Sequence, residues 1–444
     1  MKERIANWGN YPKMEAEVSS FRFEEELLTM LKAGKNGIAR GAGRCYGDAS
    51  LAKEVISTLQ YDKILEFNSE TGVFCCHAGL TLDKILDFIV PQGWFLPVTP
   101  GTKYITVGGA LASDVHGKNH HGEGTFSDHV ISFKLLLHDG QSLEVSPESM
   151  PDLFYATAGG MGLTGIITEV RFRLKKIETA FITQKKIKAA NLDEAMELFE
   201  AHAHYTYSMS WIDCLQSGRN VGRSLLMVGE HTKFNELNNG RQREPLTLKA
   251  KKKLNFPVYL PEVALNKWSI KAFNLLYYHK ELKKQATSII PYEPFFYPLD
   301  AILNWNRMYG KSGFVQYQFV LPMEASKEGL EVILKRINKA GMGSFLAVLK
   351  QFGAENKGMI SFPKKGYTLA LDFPVRKKLF PFLTELDSIV KDYEGRIYLS
   401  KDARMSAPMF QETYPRVNEF YEVVKKYNAQ GFASVQSQRL MKAL

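Results

Sequence analysis

Ala39-Arg40-Gly41-Ala42-Gly43-Arg44-Cys45-Tyr46-Gly47-Asp48 follows a short apolar run and is the stretch on which the fold turns. Closely spaced glycines let successive backbone N–H groups face one point, which makes a nest for an anion. With Arg40 and Arg44 beside it, such a nest suits a pyrophosphate. Taken alone, the stretch is explained as well by a tight turn capped with surface arginines. Its spacing is not G-x-G-x-x-G, so a Rossmann fold is not inferred.

Outward along the chain lie Pro100-Gly101-Thr102 and Thr106-Val107-Gly108-Gly109-Ala110-Leu111-Ala112-Ser113-Asp114-Val115-His116-Gly117-Lys118-Asn119-His120-His121. Small side chains there let the backbone lie against a flat ring system, with His116 and Lys118 projecting polar groups beside it. Gly159-Gly160-Met161-Gly162-Leu163-Thr164-Gly165-Ile166-Ile167 completes the set. Three small-residue segments spaced through one region argue for a long cofactor. The run His116–His121 has no carboxylate or cysteine partner at metal-ligand spacing, so no metal is expected.

The chain of 444 residues is too long for one compact core, which predicts two domains or one split by an insertion. Hydrophobic residues at 45% and charged residues at 23% exclude intrinsic disorder. A net charge of +10 suits a protein that meets an anion: nucleic acid, an anionic membrane surface or a phosphorylated ligand. The opening MKERIANWGNYPK has no apolar signal-peptide core, and no apolar run approaches the roughly 20 residues of a spanning helix. Cys45, Cys75, Cys76 and Cys214 show neither disulfide-scaffold nor zinc spacing. The expectation is a cytoplasmic protein, soluble or peripherally attached to a membrane.

An amphipathic stretch, Phe23–Leu31, precedes short strand-like runs at Gly37–Ala39, Glu54–Ser57 and Gly72–Ala78, a helix at Thr81–Ile89, and buried strands at Val130–Leu137 and Gly165–Phe172. This is an α+β unit, with a boundary near Lys176–Glu178. From about 180 to 395 the strands Phe181–Lys188, Leu225–Gly229, Phe314–Leu321 and Tyr367–Phe373 alternate with the helices Leu192–His202, Ser326–Lys339 and Phe380–Lys391. That pattern predicts a sheet covered by helices. Leu246–Pro298 stands apart: nine lysines (249, 251, 252, 253, 267, 271, 280, 283, 284) against three glutamates, interleaved with Leu254, Phe256, Tyr259, Trp268, Phe273, Leu276 and Tyr277. A solvated lysine face over a helical core and a surface for anionic headgroups and a lipid tail both fit. Nucleic-acid binding ranks below them, for want of any motif.

The combination R-G-x-G-R-x-Y-G-D, P-G-T…T-V-G-G-A, D-x-H-G-K-N-H-H and G-x-G-L-T-G-I-I resembles the vanillyl-alcohol-oxidase type of FAD-binding family. More narrowly it resembles the decaprenylphosphoryl-β-D-ribose 2′-oxidases, flavin subunits of the epimerase that makes the arabinose donor for cell-wall arabinan. The likeness continues through Trp305-Asn306-Arg307, Tyr309, Gly313–Phe319, Lys350, Asp372-Phe373-Pro374, Ser400-Lys401-Asp402-Ala403-Arg404, Tyr414-Pro415-Arg416-Val417 and Phe432-Ala433-Ser434, so it covers nearly the whole chain.

The resemblance implies a two-part FAD-binding domain, residues 1–180 and 396–444. Between its parts it implies an inserted substrate domain, 181–395, on an antiparallel sheet covered by helices, with a mobile loop region at about 246–298. In covalent relatives a histidine near the first glycine cluster holds the flavin; Arg44 cannot, so the FAD is expected to be non-covalent. Its contacts are expected along Arg40–Tyr46, at Pro100, Gly101, Thr102, Thr106, Gly108, Gly109, Ala112, Ser113, Val115, His116, Gly117 and Asn119, at Gly162, Thr164, Gly165 and Ile166, and at Tyr414. Lys401 is expected beside flavin N5, to hold the substrate hydroxyl, stabilise the alkoxide or act as base, and His116 to relay a proton or orient the sugar. Tyr46, Lys118, Trp211, Tyr309, Gln316, Gln318, Lys350, Thr368 and Ala370 are the expected remainder of the substrate pocket. Relatives that make arabinan carry cysteine at 370 and asparagine at 368, which puts the sugar in question. The implied activity is oxidation of the 2′-hydroxyl of a polyprenylphosphoryl ribose at a membrane surface, followed by reduction by an NADH-dependent short-chain dehydrogenase. Oxidation of an alditol, an aldonolactone or another glycolipid is the alternative. A flavin-binding membrane adaptor without catalysis is a third, and Lys401 and His116 argue against it.

Overall fold

The computed structural model describes residues 2–35, 37–248 and 252–441; Lys249 and Lys251 of the basic segment lie outside them. The N-terminal region forms a four-stranded sheet in the order Lys2–Ala6, Lys13–Ser20, Glu54–Ser57, Ile38–Arg40. Its inner pairs are parallel, and the crossover that a parallel pair needs is supplied by the helix Glu24–Lys32. An antiparallel five-stranded sheet follows, in the order Ile64–Phe67, Val73–His77, Ile166–Arg173, Val130–Leu136, Ser142–Val145. The helix Leu82–Ile89 buries Leu82, Ile85, Leu86 and Ile89, one stripe of its surface.

The largest element is an eight-stranded antiparallel sheet. Across it the strands run Gln285–Pro291, Phe181–Ala189, Ser224–His231, Tyr207–Ile212, Ala347–Phe352, Gly366–Pro374, Phe314–Pro322 and Arg396–Ile397. The helices Leu192–Ala201, Met323–Ala340 and Leu379–Asp392 pack on one face. The mean period of two along each strand then decides which side chains meet the helices and which the other face. Tyr317, for example, donates from its hydroxyl to Asp387 on the helix side (3.1 Å), while its neighbours Gln316 and Gln318 face away.

The α+β class is as expected, and the strands expected between 181 and 373 are present. Four strands of the large sheet were not expected: Tyr207–Ile212, Gln285–Pro291, Ala347–Phe352 and Arg396–Ile397. In QATSIIP and AVLKQF the polar Ser288 and Lys350 face the cavity, whereas in YSMSWI Met209 and Trp211 face it and Ser208 and Ser210 lie buried on the opposite face, so none of these three shows the alternation of a strand packed on one core. The last strand, Arg396–Ile397, lies just past the expected boundary at 395. After it, the helices Ala407–Thr413, Val417–Lys426 and Val435–Leu440 return to the N-terminal region. There Lys426 and Tyr427 hold Asp152 at 2.5 and 2.9 Å. Among the described residues no helix is long and apolar enough to cross a membrane.

Candidate active site

A cavity of about 840 Å³ lies between the glycine-rich segments and the open face of the large sheet. Gly41–Tyr46, Pro100–Thr102, Thr106, Gly108, Gly109, Ala112, Ser113, Val115–Lys118, Gly162 and Gly165 line one wall. Close approach is what glycine provides here. A Cβ on Gly47 would stand 1.7 Å from the Asp402 carbonyl oxygen, and one on Gly108 would stand 2.9 Å from the Ala78 Cβ. The first contact brings the turn bearing Lys401 against the first glycine loop, where the Tyr46 N–H also donates to the Ser400 carbonyl (3.0 Å). Thr106 caps the helix Val107–Ala112 by accepting from the Gly109 N–H. The Arg44 guanidinium lies 4.2 Å from the Trp8 ring centroid, on the cavity wall.

The other wall is the sheet face. Across it, in strand order, stand Gln316 and Gln318, then Ala370 and Asp372, Val348 and Lys350, Met209 and Trp211, Met227, Gln184 and Lys186, and finally Ser288 and Ile290. Amides and charges stand at one end, Met209, Met227 and Trp211 in the middle, and Gln184, Lys186, Ser288 and Ile290 at the far edge, while the helix Lys267–His279 lies over the middle. That helix sets Tyr277 against Trp211 (centroids 4.7 Å apart) and Phe273 on the cavity.

Reactive groups gather at the polar end. The Lys401 ammonium sits 4.0 Å from the Tyr46 ring centroid. Burial lowers its pKa to about 8, opposed by Cys45 and Asp372. Burial, reinforced by Lys401, likewise lowers Lys350 to about 8, and burial with Lys350 nearby lowers Lys118 to about 7. Lys118 donates to the Phe295 carbonyl and lies 4.7 Å from that ring's centroid. Asp372 accepts from Gln316 Nε2 (2.6 Å) and from the Tyr309 hydroxyl (3.2 Å). Burial raises its carboxyl to about 7 against those bonds and Lys401. A basic and an acidic group that both titrate near neutrality in one cavity are the equipment of general acid–base chemistry.

His116 is different. It is enclosed by Phe352 and Tyr398 (ring centroids 4.7 and 5.1 Å). Gln318 Nε2 donates to its Nε2 (3.0 Å), and its Nδ1 is buried without a partner. Burial, then Lys350, hold its pKa well below the usual 6.5, so the imidazole is neutral. Its observed contact orients the Gln318 amide.

Several expected residues stand behind the cavity wall rather than on it. Arg40 supports the first loop from behind, bonded to Asn7, Ser50 and the Ala6 carbonyl. Asn119 donates to the Pro97 carbonyl (2.7 Å), Thr164 bonds Thr157 (3.0 Å), and Ile166 is core. The Tyr414 hydroxyl donates to the Ile397 carbonyl (2.6 Å). Tyr309 acts on Asp372, and Thr368 accepts from Gln318 (3.2 Å) while donating to the Phe319 carbonyl (2.8 Å). Apart from Ile166, which packs in the core, each of these side chains makes hydrogen bonds to a neighbour, a role that sequence does not separate from contact. Asp372 was missed as a site residue, although a lone carboxylate within the apolar run Tyr367–Phe373 is the signal that marks it. Arg439 was missed without any such signal: it bridges Asp48 (2.9 and 3.1 Å) and Asp402 (2.7 Å), tying the Lys401 turn to the first loop.

The family model described as an FAD binding domain matches residues 23–146. The chain is 36% identical to decaprenylphosphoryl-beta-D-ribose oxidase of Mycolicibacterium smegmatis over 99% of this chain and 97% of that one. The chain belongs to the decaprenylphosphoryl-β-D-ribose oxidase family. An uncharacterized protein of Streptomyces coelicolor is 30% identical over 78% of this chain and 95% of its own. A D-lactate dehydrogenase of Archaeoglobus fulgidus is 27% identical over 37% of each.

Members of this oxidase family are FAD-dependent oxidoreductases, and the residues present here fit that cofactor. The glycine wall leaves room for a flat ring close to backbone, and Arg44 offers a guanidinium for an anionic group. When bound, FAD supplies the acceptor for a hydride. This chain supplies a polar cavity end with Lys401 and Asp372, a neutral His116, and the apolar side chains of Met209, Met227 and Trp211 further along the cavity.

Proposed function

We propose that the chain oxidises the 2′-hydroxyl of a polyprenylphosphoryl-β-D-ribose to the 2′-keto sugar with non-covalently held FAD. Residues 1–180 and 396–444 would bind the cofactor, and 181–395 the substrate. The grouping of polar side chains beside Lys401 and of Met209, Met227 and Trp211 next along the sheet face supports this reading. Gln316, Gln318 and Asp372 suit sugar hydroxyls, Lys350 and Lys118 suit a phosphate, and Met209, Met227, Trp211 and Ile290 suit an isoprenoid chain. The relative that matches over nearly the full length bears the name of that substrate.

In this scheme Lys401, as its neutral amine, takes the hydroxyl proton while the carbinol hydride leaves. Asp372 favours the ammonium that results. Gln318, oriented by His116 and Thr368, holds a neighbouring hydroxyl. The keto product then passes to a short-chain dehydrogenase, which delivers a hydride from NADH to the opposite face and completes an epimerisation toward the arabinose donor. The substrate's chain places the reaction at a membrane surface, with the enzyme peripheral.

Ala370 and Thr368 support a second reading. Where arabinan-making relatives carry cysteine, Ala370 on the wall is smaller, and where they carry asparagine, Thr368 stands behind the wall and holds Gln318, so a differently substituted sugar or another glycolipid fits as well. Anaerobic mixing separates the two. Bleaching of the FAD by polyprenylphosphoryl ribose, and not by alditols, aldonolactones or free sugars, is the expected result. Bleaching by the soluble sugars alone would reject the first reading.

A further inference from the structure

The helix Lys267–His279 has two faces with different neighbours. Ile270 and Asn274 are buried, Asn274 Nδ2 donates to Asp213 Oδ1 (2.8 Å), and Phe273 and Tyr277 line the cavity. At 3.6 residues per turn these four share one side. On the other side Trp268 and Leu276 are 76% and 71% exposed, with Leu275 beside them. The apolar surface continues past both ends of the helix, through Val263 before it and Leu282, 93% exposed, after it. Lys267 and Lys271 flank this face along one edge and Lys280 along the other, followed by Lys283 and Lys284. Of the acids nearby, Glu281 is paired with Lys186 (2.8 Å) and Glu194 with Lys284 (3.2 Å).

Large aliphatic and indole groups gathered in water mark a surface that something covers. The flanking lysines select the occupant. A second copy of this chain would bring lysines against lysines. An anionic bilayer satisfies both components at once, with acyl boundary for Trp268, Leu275 and Leu276 and headgroups for the cations.

We propose that the outward face of the 267–279 helix, extended by Val263 and Leu282, inserts into the headgroup layer of an anionic lipid bilayer and sets the cavity mouth against it. The proposal rests on the lipid-linked substrate reading. Because the inner face of the same helix bears Phe273 and Tyr277, a chain leaving the cavity beside them enters the leaflet without crossing water.

The test uses the FAD-loaded full chain sedimented with phosphatidylglycerol–phosphatidylcholine vesicles or with phosphatidylcholine alone. Binding is expected to the anionic vesicles, with a blue shift of tryptophan emission. The double variant Trp268→Ser/Leu276→Ser should reduce that binding about tenfold or more. It should bleach at the wild-type rate with a short-chain, water-soluble phosphoryl-ribose analogue. Equal sedimentation of variant and wild type would overturn the proposal. So would a wild-type dimer in solution that the double variant abolishes, since a second copy would then cover the face. Absence of bleaching by the analogue in both proteins would instead reject the substrate reading and leave the vesicle result to stand by itself.

Discussion

Along Gly41–Tyr46, Pro100–Lys118 and Gly162–Gly165 the cavity meets mostly backbone and small side chains, whereas along the sheet it meets amides, lysines, methionines and an indole. The first wall tolerates little variation because its shape is set by atoms that are missing: a single Cβ at Gly47 would collide with the Asp402 carbonyl. The second is a lattice of alternate positions on neighbouring strands, so one substitution changes the chemistry at one point and leaves the frame intact. The difference teaches where specificity can change. In the proposed reading the glycine wall holds a constant ligand, and the sheet wall, with Ala370 upon it and Thr368 just behind it, is free to vary with the substrate.

The largest expected effect comes from the group that joins the walls. Lys401→Ala should retain FAD and slow anaerobic flavin reduction by about 10³-fold, as loss of a general base does; an unchanged stopped-flow rate would remove Lys401 from the chemistry. Next is the glycine wall alone. Gly109→Ala adds a Cβ that meets only the Thr106 hydroxyl within the protein, at 3.0 Å. It should therefore fold with native circular dichroism yet bind FAD about 100-fold more weakly, by the contacts a blocked pocket forfeits. Retained affinity by fluorescence titration would move the cofactor off this wall.

Removing the strap that holds the walls in register has a smaller expected cost. Arg439→Gln leaves Asp48 and Asp402 buried without their cation, loosening the Lys401 turn. Flavin reduction should fall about tenfold with FAD still bound, consistent with misplacement of a reacting group. Arg439→Lys should recover part of the rate. Should FAD dissociate from both variants instead, the strap serves cofactor binding and not Lys401.

The pH response tests the polar end of the sheet wall. Lys401, lowered by burial to about 8, must be neutral to accept a proton, so flavin reduction should rise as pH increases through about 8. Asp372→Asn removes the negative neighbour that favours the ammonium, so the rise should move to lower pH. A profile that is flat, or unmoved in the variant, would separate Asp372 from Lys401. The smallest effect is expected at Ala370→Leu, which narrows the sheet wall between Gln318 and Val348. It should raise KM about threefold to tenfold, with FAD affinity unchanged, if substrate packs there.

The glycine clusters, the helix-covered sheet and the lysine-aromatic segment were all legible in the residues, because each is a local pattern of spacing or composition. The strands Tyr207–Ile212 and Ala347–Phe352 were not, since Met209, Trp211 and Lys350 obey the demands of a cavity and not the alternation of a core. His116 was legible as a site residue, while the enclosure that keeps it neutral and turns it toward Gln318 was not.

What the sequence determined by itself was the glycine wall: the freedom of Gly41, Gly43, Gly108 and Gly109 is a property of the residue and needs no partner to be seen. Only the tertiary structure decided that Arg40, Tyr309, Thr368 and Tyr414 stand behind the wall, and that Asp372 and Arg439 belong to the site. It alone also decided that one helix turns Tyr277 to the cavity and Trp268 to the outside. The reason is physical: burial and hydrogen bonding arise from residues hundreds of positions apart, as with Arg439, Asp48 and Asp402, and they set both a pKa and a contact.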